Sequence, residues 1–515
     1  MEGSFDFVVV GAGTAGCVLA SRLAEAGRHR VLLLEAGGED DSPWIHVPVG
    51  YARLLGNARY NWLYRSAPEP ELNGRELDVP CGKVIGGTGS INGMLHVRGQ
   101  PEDYEHWRAL GNEGWGWDDV RPWLDKVALP VSDPPQRHVL ADAFVEAALE
   151  AGNRHNDGFN GPTQEGIGYY KLNTAAGRRA NTARVYLKPL RRSPYLAVAT
   201  GARATRVLLE GGQATGVEYR HGGVLKQARA RGEVILAAGS YNSPQLLQCS
   251  GIGDAARLRA AGIDVAHDLP AVGENLQNHF RVSIVARCAQ AVTHNDDMRR
   301  LWRRVRMGLR YVLFRDGPLA AGTYAGGFVR AAPGAARPDT QITFWTYSVE
   351  KRGASGVVLH PFPGFTANAV LLRPESTGWV RAKSGDTAAP PEIRFNHLAA
   401  EVDRSTLLAG IRAVRHIFSR PALAPYFAGE LAPGQDCATD DALLAYAREN
   451  GNSVYHPVGT CAMGAVLDAR LRVRGLGRLR VADASVMPAV TSGNTNAPTA
   501  MIAERAADWL LRDAA

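Results

Sequence analysis

Three glycines near the amino terminus have the spacing of a dinucleotide-binding turn. Gly11, Gly13 and Gly16 follow a short apolar run and lead into a segment with helical spacing. In such a turn the first glycine permits the bend, the second lets backbone approach a pyrophosphate, and the third lets helix and strand pack closely. The helix would begin near Thr14 and Ala15, and its free N–H groups and positive dipole would face the phosphates.

An acidic residue completes this pattern. Glu35 lies 22 residues after Gly13, at the end of a second apolar run, Val31 to Leu34. A carboxylate at that place, next to Ala36, can accept hydrogen bonds from ribose hydroxyls and would repel a 2′-phosphate. The pattern therefore predicts NAD or FAD rather than NADP, with a purely structural glycine turn as the alternative.

A second glycine-rich segment runs from Gly82 to Gly93, with the sequence GKVIGGTGSING. Dense glycine permits backbone to lie flat against a planar ligand, and the Asn92 side chain can offer an amide. A long surface loop is the alternative that composition leaves open. The residues expected to contact a cofactor here are Val84, Gly87, Asn92, Gly93 and Leu95.

Several motifs together resemble one known family. They are GKVIGGTGSINGMLHVRG from residue 82, GSYNSPQLLQCSGIG from 239, YHPVGTCAMG from 455, VADASVMP from 481 and SGNTNAPT from 492. In this order they resemble the signatures of the glucose–methanol–choline (GMC) oxidoreductase family, along nearly the whole chain. The resemblance implies that the predicted dinucleotide is FAD.

The resemblance also implies two catalytic residues, His456 and Asn494. Imidazole titrates near neutrality and can take a hydroxyl proton as a hydride leaves. Asparagine cannot act as a base, but it can donate to the substrate oxygen. Judged from the residues alone, His456 could be structural and Asn494 could cap the last helix.

The family activity implied is oxidation of an alcohol to the aldehyde by hydride transfer to flavin N5, with His456 as general base. A neutral primary alcohol is the expected substrate, and oxygen or a quinone-like compound the expected electron acceptor. An FAD-containing hydroxynitrile lyase of the same fold is the alternative, followed by a non-enzymatic flavin-binding protein.

Three further cofactor contacts, Asp483, Val207 and Tyr455, are implied by resemblance. Asp483 would lie near the ribityl–pyrophosphate region and bind through the backbone amides that follow it. The Val207 backbone would contact adenine, and Tyr455 would line the flavin pocket. Asn494 and Thr495 would stand at the start of the last helix, whose dipole favours a reduced, anionic flavin.

Two departures from the family pattern are informative. Ile91 occupies the position where some members carry a histidine bonded covalently to FAD, so a non-covalent cofactor is expected. Arg281 stands where choline-oxidising members carry an acid that faces the trimethylammonium group. A cationic substrate would be repelled by it, unless Arg281 points away from the site.

One segment carries an unusual amount of charge. Arg299 to Arg315 contains seven arginines, and apolar residues recur in it at helical spacing. A solvated helix on the substrate domain is the favoured interpretation, and contact with acidic lipid is the alternative. Binding to nucleic acid is not expected, because no recognition motif accompanies the charge.

The helices and strands predicted from the sequence indicate an α/β protein. Its two domains are each built from separate segments of the chain. A Rossmann-like FAD-binding domain would be built from residues 1–152, 196–280 and 453–515. A discontinuous substrate-binding domain, with an antiparallel sheet and helices, would comprise residues 153–195 and 281–452. Residues 101–127 and 139–152 are predicted to be helical.

Composition, charge and cysteine count exclude several classes of protein. The chain has 515 residues, 45% of them hydrophobic and 21% charged, with a net charge of +7. These values exclude a disordered or disulfide-scaffold protein. The six cysteines form no CxxC pair, so no metal site is expected. No basic leader precedes the first strand, so a cytoplasmic protein is expected, and its oligomeric state is left open.

Overall fold

The structure is a computed structural model that describes residues 3–322, 325–353 and 356–514. Residues 1 and 2 of the predicted segment 1–152, and residue 515 of the predicted segment 453–515, lie outside the described residues. Its helices, α1 to α12, are Thr14–Glu25, Pro43–His46, Pro101–Ala109, Trp117–Lys126, Val139–Glu150, Gly239–Cys249, Ala255–Ala260, His294–Arg299, Leu301–Phe314, Glu401–Phe418, Asp440–Asn450 and Asn496–Asp513.

Strands of two larger sheets and several short ribbons complete the described chain. In chain order, β1 to β24 are Gly3–Val10, Val31–Leu34, Tyr64–Arg65, Asp78–Val79, Gly166–Tyr169, Thr174–Ala175, Arg178–Arg179, Leu196–Ala199, Ala202–Glu210, Gln213–His221, Val224–Leu236, Ile252–Gly253, His267–Asp268, Phe280–Cys288, Ala325–Val329, Thr340–Trp345, Val349–Gly353, Gly356–Leu359, Gly364–Leu371, Trp379–Arg381, Glu392–Arg394, Phe427–Ala432, Asn452–Ser453 and Leu479–Val481.

The first sheet has the order β8-β2-β1-β11-β10-β9, and β24 pairs with β11. Strands β8, β2, β1, β11 and β24 are parallel, whereas β10 and β9 join them antiparallel. All four residues of β2 are buried, as expected for a parallel strand covered on both faces. Helices α1 and α12 pack against each other beside this sheet. The parallel pairing of β1 with β2, which α1 connects, confirms the predicted βαβ unit.

The second sheet is antiparallel, with the order β22-β14-β19-β16-β15-β5 and with β23 paired to β14. One face carries apolar residues such as Ile284 and Phe344 into a core shared with α5 and α10. The Phe344 ring stacks on Phe144 of α5 at 4.4 Å between centroids. The opposite face holds Arg281 and Gln341, because side chains alternate along a strand.

The α/β fold class is thus as predicted, with 32% helix and 26% strand. Two details differ. The predicted helix over 101–127 is two helices, α3 and α4, separated by a turn in which Gly111 and Gly114 take positive φ. Helix α5 was assigned to the FAD-binding segment 1–152, yet it packs on the second sheet. We therefore propose a boundary before α5 and keep the other boundaries as proposed.

Candidate active site

A cavity of about 350 Å³ lies between the two sheets. Its walls come from the ends of β1 and β2, from α1, α6 and α12, from the Gly82–Gly93 loop and from the polar face of the second sheet. Most residues that the sequence singled out meet there. Those that line the cavity are Gly11, Gly13, Thr14, Ala15, Glu35, Ala36, Gly87, Asn92, Gly93, Leu95, Tyr455, His456, Asp483, Asn494 and Thr495.

The start of α1 is shaped to receive an anion. Gly13 is its N-cap and supplies no side-chain cap, and the first turn contains no acidic residue. Gly11 adopts φ 98°, a conformation that glycine takes readily. The first-turn N–H groups therefore lack a capping side chain beside the cavity, as a pyrophosphate requires.

Gly16 has a different role from its two partners and does not line the cavity. A Cβ atom on Gly16 would lie 1.8 Å from the Gly11 carbonyl oxygen. Gly16 is therefore required by the contact between helix α1 and the turn before it. This is the packing role that the motif predicts for its third glycine.

Glu35 is 6% exposed, and its carboxylate is hydrogen-bonded to the backbone of the glycine turn. One carboxylate oxygen accepts from the Ala12 N–H at 2.9 Å, and the other accepts from the Gly37 N–H at 2.7 Å. Burial raises the pKa of Glu35 to about 7, against the opposing effect of these two hydrogen bonds. Each oxygen retains acceptor capacity for a ribose hydroxyl.

The Gly82–Gly93 loop is fixed by an arginine that sequence reasoning missed. The buried Arg179 guanidinium donates to the Ile45 and Gly89 carbonyls, and to both the side-chain and backbone oxygens of Asn92. The same Asn92 side-chain oxygen also accepts from the Met94 N–H. Burial lowers the pKa of Arg179 to about 9. No motif marked Arg179, because its partners are carbonyls distant in the sequence.

Asp483 joins two segments rather than offering its carboxylate to a ligand. One oxygen accepts from the Gly239 N–H and the Ser243 hydroxyl, and the other accepts from the N–H and hydroxyl of Ser485. The carboxylate is saturated by these donors. Contact of the cofactor with the backbone that follows Asp483 stays a prediction, and Ala484 of that backbone lines the cavity.

Two further predicted contacts, besides Gly16, are not brought to the cavity lining. Val207 is buried, and its N–H donates to the Ser250 hydroxyl at 2.8 Å. The residues of β9 that line the cavity lie earlier in the strand, at Ala202 to Ala204. Val84 is fully buried and forms a backbone bridge to Gly38.

His456 and Asn494 both line the cavity and are hydrogen-bonded to each other. The Nε2 atom of His456 lies 2.9 Å from Nδ2 of Asn494, and its Nδ1 atom lies 2.9 Å from Nδ1 of His279. Residue Tyr455, just before His456, has φ 67°, which is uncommon for a non-glycine residue. Asn494 accepts in turn from Nε2 of Gln341 at 3.4 Å.

The hydrogen-bond partners determine which imidazole nitrogen carries each proton. Nε2 of His279 lies 2.8 Å from the Leu372 carbonyl oxygen, which can only accept, so this nitrogen is protonated. In neutral His279, Nδ1 is then the acceptor, and Nδ1 of His456 must donate to it. The remaining nitrogen of His456, Nε2, therefore has a lone pair directed at the Asn494 amide.

The pKa of His456 lies well below its usual value. Burial is the main cause, and the neighbouring His279 adds to it. Burial also lowers the pKa of His279 to about 4. Both rings are thus neutral near neutral pH, and Nε2 of His456 is available as a base.

The polar face of the second sheet forms the wall beside this pair. Arg281 is 9% exposed and lines the cavity. Its Nη1 donates to the Ser283 hydroxyl and to the side-chain amide oxygen Oδ1 of Asn368. Its guanidinium lies 5.0 Å from the centre of the Trp345 ring. Arg281 thus points into the site and not away from it.

Sequence reasoning missed His279 and Gln341 as well as Arg179. His279 lies in the GENLQNHFRV segment, two residues before Arg281, and a histidine there was the available signal. Gln341 reaches the site through strand pairing, because Gln341 of β16 lies opposite Val370 of β19, which in turn lies opposite Arg281. Such a neighbour cannot be read from spacing along the chain.

Comparison with known proteins identifies the family of the chain. Sequence profiles described as GMC oxidoreductase match residues 5–281 and 374–503. An "Alcohol dehydrogenase [acceptor]" of Pseudomonas putida is 40% identical over 99% of this chain and 96% of its own. An "Oxygen-dependent choline dehydrogenase" of Sinorhizobium fredii is 39% identical over 98% and 95%.

Among solved structures, pyridoxine 4-oxidase from Mesorbium loti superposes with a TM-score of 0.88 and 29% identity, and the match covers 98% of each chain. Fold, site and comparisons together define an FAD-dependent oxidoreductase that acts on CH–OH donors. The chain belongs to the GMC oxidoreductase family. The glycine turn, the α1 amino terminus and the Glu35 carboxylate all fit FAD, which Gly13, Thr14 and Glu35 would hold.

Proposed function

We propose that this enzyme oxidises a neutral primary alcohol to the aldehyde, with His456 as the base and Asn494 as the oxygen-positioning donor. The observation that carries the proposal is the pairing of His456 Nε2 with Asn494 Nδ2 at 2.9 Å inside the cavity. One nitrogen is an acceptor and the other a donor. These are the two partners that an alcohol hydroxyl needs.

The proposed reaction places the hydroxyl between the two side chains. The alcohol oxygen accepts from Asn494, and its proton passes to Nε2 of His456 as the carbinol carbon gives up its hydride. When bound, FAD supplies the two-electron acceptor for that hydride. Because an alcohol has a far higher pKa than an imidazole, proton and hydride must leave in a coupled manner. The Asn494 amide stabilises the alkoxide character that develops.

Arg281 supports a neutral substrate over a cationic one. Its guanidinium lines the same cavity as His456, and like charges in a water-poor site repel strongly. Although several relatives are named choline dehydrogenases, we infer that choline is a poor substrate here. Ile91 lines the cavity at the position where some family members carry a histidine bonded covalently to FAD. Its alkyl side chain offers no nucleophile, which supports a non-covalent FAD.

The test is anaerobic mixing of the FAD-loaded enzyme with a panel of primary alcohols and choline. Loss of the oxidised flavin absorbance with neutral alcohols, and little with choline, is expected. Absence of bleaching by every alcohol, together with cyanide release from cyanohydrins, would instead identify a lyase. Parallel assays of peroxide formation and of dye reduction then separate oxygen from a quinone-like acceptor.

Arg281→Gln offers a sharper version of the same test. Removing the guanidinium charge should improve kcat/KM for choline relative to a neutral alcohol of similar size. Arg381→Gln, which changes an arginine away from the cavity lining, should leave that ratio unchanged. An unchanged ratio in both variants would contradict the argument from charge.

A further inference from the structure

Helix α9, Leu301–Phe314, carries an apolar face that the described protein does not cover. Tyr311 is its single buried residue. Seven apolar side chains of the helix are between 53% and 72% exposed. Phe314, in the last turn, lies on another side of the helix. The other six share one side: Leu301, Trp302, Val305, Leu309, Val312 and Leu313. Solvated helices on globular proteins normally turn such residues toward the core, so this orientation calls for an explanation.

The six residues form one continuous stripe. At 3.6 residues per turn they fall within an arc of about 120°. Tyr311, on the opposite side, donates its hydroxyl to the Gly177 carbonyl at 3.0 Å and holds the helix to the protein. A contiguous exposed apolar patch rimmed by polar residues marks an interaction surface.

The rim of the stripe is strongly basic. Arg304 and Arg306 lie on its two sides, and Arg299 and Arg300 precede the helix. Helix α9 contains no Asp or Glu. Two arginines nearer the protein are paired, Arg303 with Asp297 and Arg310 with Asp316.

We propose that α9 is an in-plane anchor by which the enzyme docks on an anionic lipid surface. An apolar stripe flanked by arginines fits the boundary between acyl chains and acidic headgroups. A second copy of this chain is a poorer occupant, because a symmetric contact through α9 would bring the two sets of arginines together. Among the described residues, no helix is both long and apolar enough to cross a bilayer.

The position of α9 gives such docking a consequence for the cavity. The segment that follows it, Pro318–Ala320, packs on Pro48–Arg53. That second segment includes Tyr51, which lines the cavity. Docking through α9 would hold this side of the cavity near the lipid, where apolar alcohols and apolar electron acceptors concentrate.

The test is co-sedimentation of the FAD-loaded enzyme with vesicles of phosphatidylcholine alone and of phosphatidylcholine mixed with phosphatidylglycerol. Binding to the mixed vesicles is expected, with a blue shift of tryptophan emission that is lost in Trp302→Phe. No binding, or equal binding to both vesicle types, would overturn the proposal.

Two sets of variants separate the two contributions. Val305→Ser, Leu309→Ser and Val312→Ser together, and Arg299→Gln, Arg304→Gln and Arg306→Gln together, should each weaken vesicle binding by about tenfold or more. Their matched controls lie on other exposed surfaces and should bind normally: Val224→Ser with Leu225→Ser, and Arg121→Gln with Arg192→Gln and Arg259→Gln.

Self-association is the competing outcome. Sedimentation velocity without lipid would detect a dimer that the apolar variants dissociate. A dimer of that kind, with no vesicle binding, would assign the stripe to a second copy and overturn the proposal. Alcohol-dependent flavin bleaching should be unchanged in both sets of variants, so failure here is distinguishable from failure of the proposed function.

Discussion

His456 is held at both ring nitrogens, and each contact has a separate role. Nδ1 donates to His279, which fixes the tautomer, whereas Nε2 is the acceptor that faces Asn494. The histidine was identified by its motif, but the tautomer was not. The tautomer follows from the hydrogen bond between His279 and the Leu372 carbonyl. Leu372 comes directly after β19 and is distant from His456 in the sequence.

Replacing His456 tests its role as a base. His456→Ala should slow flavin reduction by alcohol about 10²–10⁴-fold, the usual contribution of a positioned base, while FAD remains bound. The measurement is stopped-flow reduction together with the flavin content of the purified protein. His416→Ala, at an exposed helical position, is the control and should be normal. Equal rates in the two variants would refute the assignment.

His279 offers a test through pH. The base must be unprotonated, and burial and His279 both lower the pKa of His456. Reduction should therefore be independent of pH around neutrality and fall only in acid. His279→Asn keeps an acceptor for Nδ1 of His456 but removes the second cause, so the acid limb should move to higher pH. A limb that stays in place would show that His279 does not influence the base.

At the scale of elements, Gly16 decides whether α1 can lie against the turn that precedes it. Gly16→Ala would place a methyl group 1.8 Å from the Gly11 carbonyl. Because backbone cannot give way cheaply there, the variant should lose FAD and melt at a lower temperature. Gly161→Ala, where a Cβ has open space, is the control. Normal FAD content in Gly16→Ala would contradict the packing argument.

The elements that sequence predicts well are those with local signals. The βαβ unit and the last helix both follow from apolar periodicity, glycine and proline. The domain to which α5 belongs is harder to predict, because a buried stripe that includes Phe144 does not indicate along the sequence which core it joins. Only the stack of Phe144 on Phe344 shows which sheet it covers.

At the scale of the whole molecule, buried histidines couple stability to pH. Burial lowers the pKa of His96, His279 and His294 to about 4 and that of His397 to about 3. Their unfolded value is 6.5, so below it the unfolded chain binds more protons than the folded one. Stability is then complete above pH 6.5 and is lost as the pH falls toward 4.

Each of these histidines costs up to about 1.4 kcal/mol per pH unit in that window. Burial of carboxyl groups acts in the opposite direction, since it raises the pKa of Glu35 to about 7 and also raises the pKa of Glu69 and Asp297. The histidines with a lowered pKa outnumber these carboxyl groups, because His138 and His456 belong to the same set. The melting temperature should therefore fall steeply with acid. His397→Phe, between the rings of Phe280 and Phe395, should reduce that slope; an unchanged slope would argue against the coupling.

The arrangement of the first sheet has a consequence for biosynthesis. Strand β24 pairs with β11. Asp483, which follows β24, accepts hydrogen bonds from Gly239 and Ser243 at the amino terminus of α6. A ribosome makes these residues, His456 and Asn494 after both sheets are otherwise complete. The dinucleotide cleft of a nascent chain therefore lacks its last strand and both catalytic side chains until the final part of the chain is synthesised.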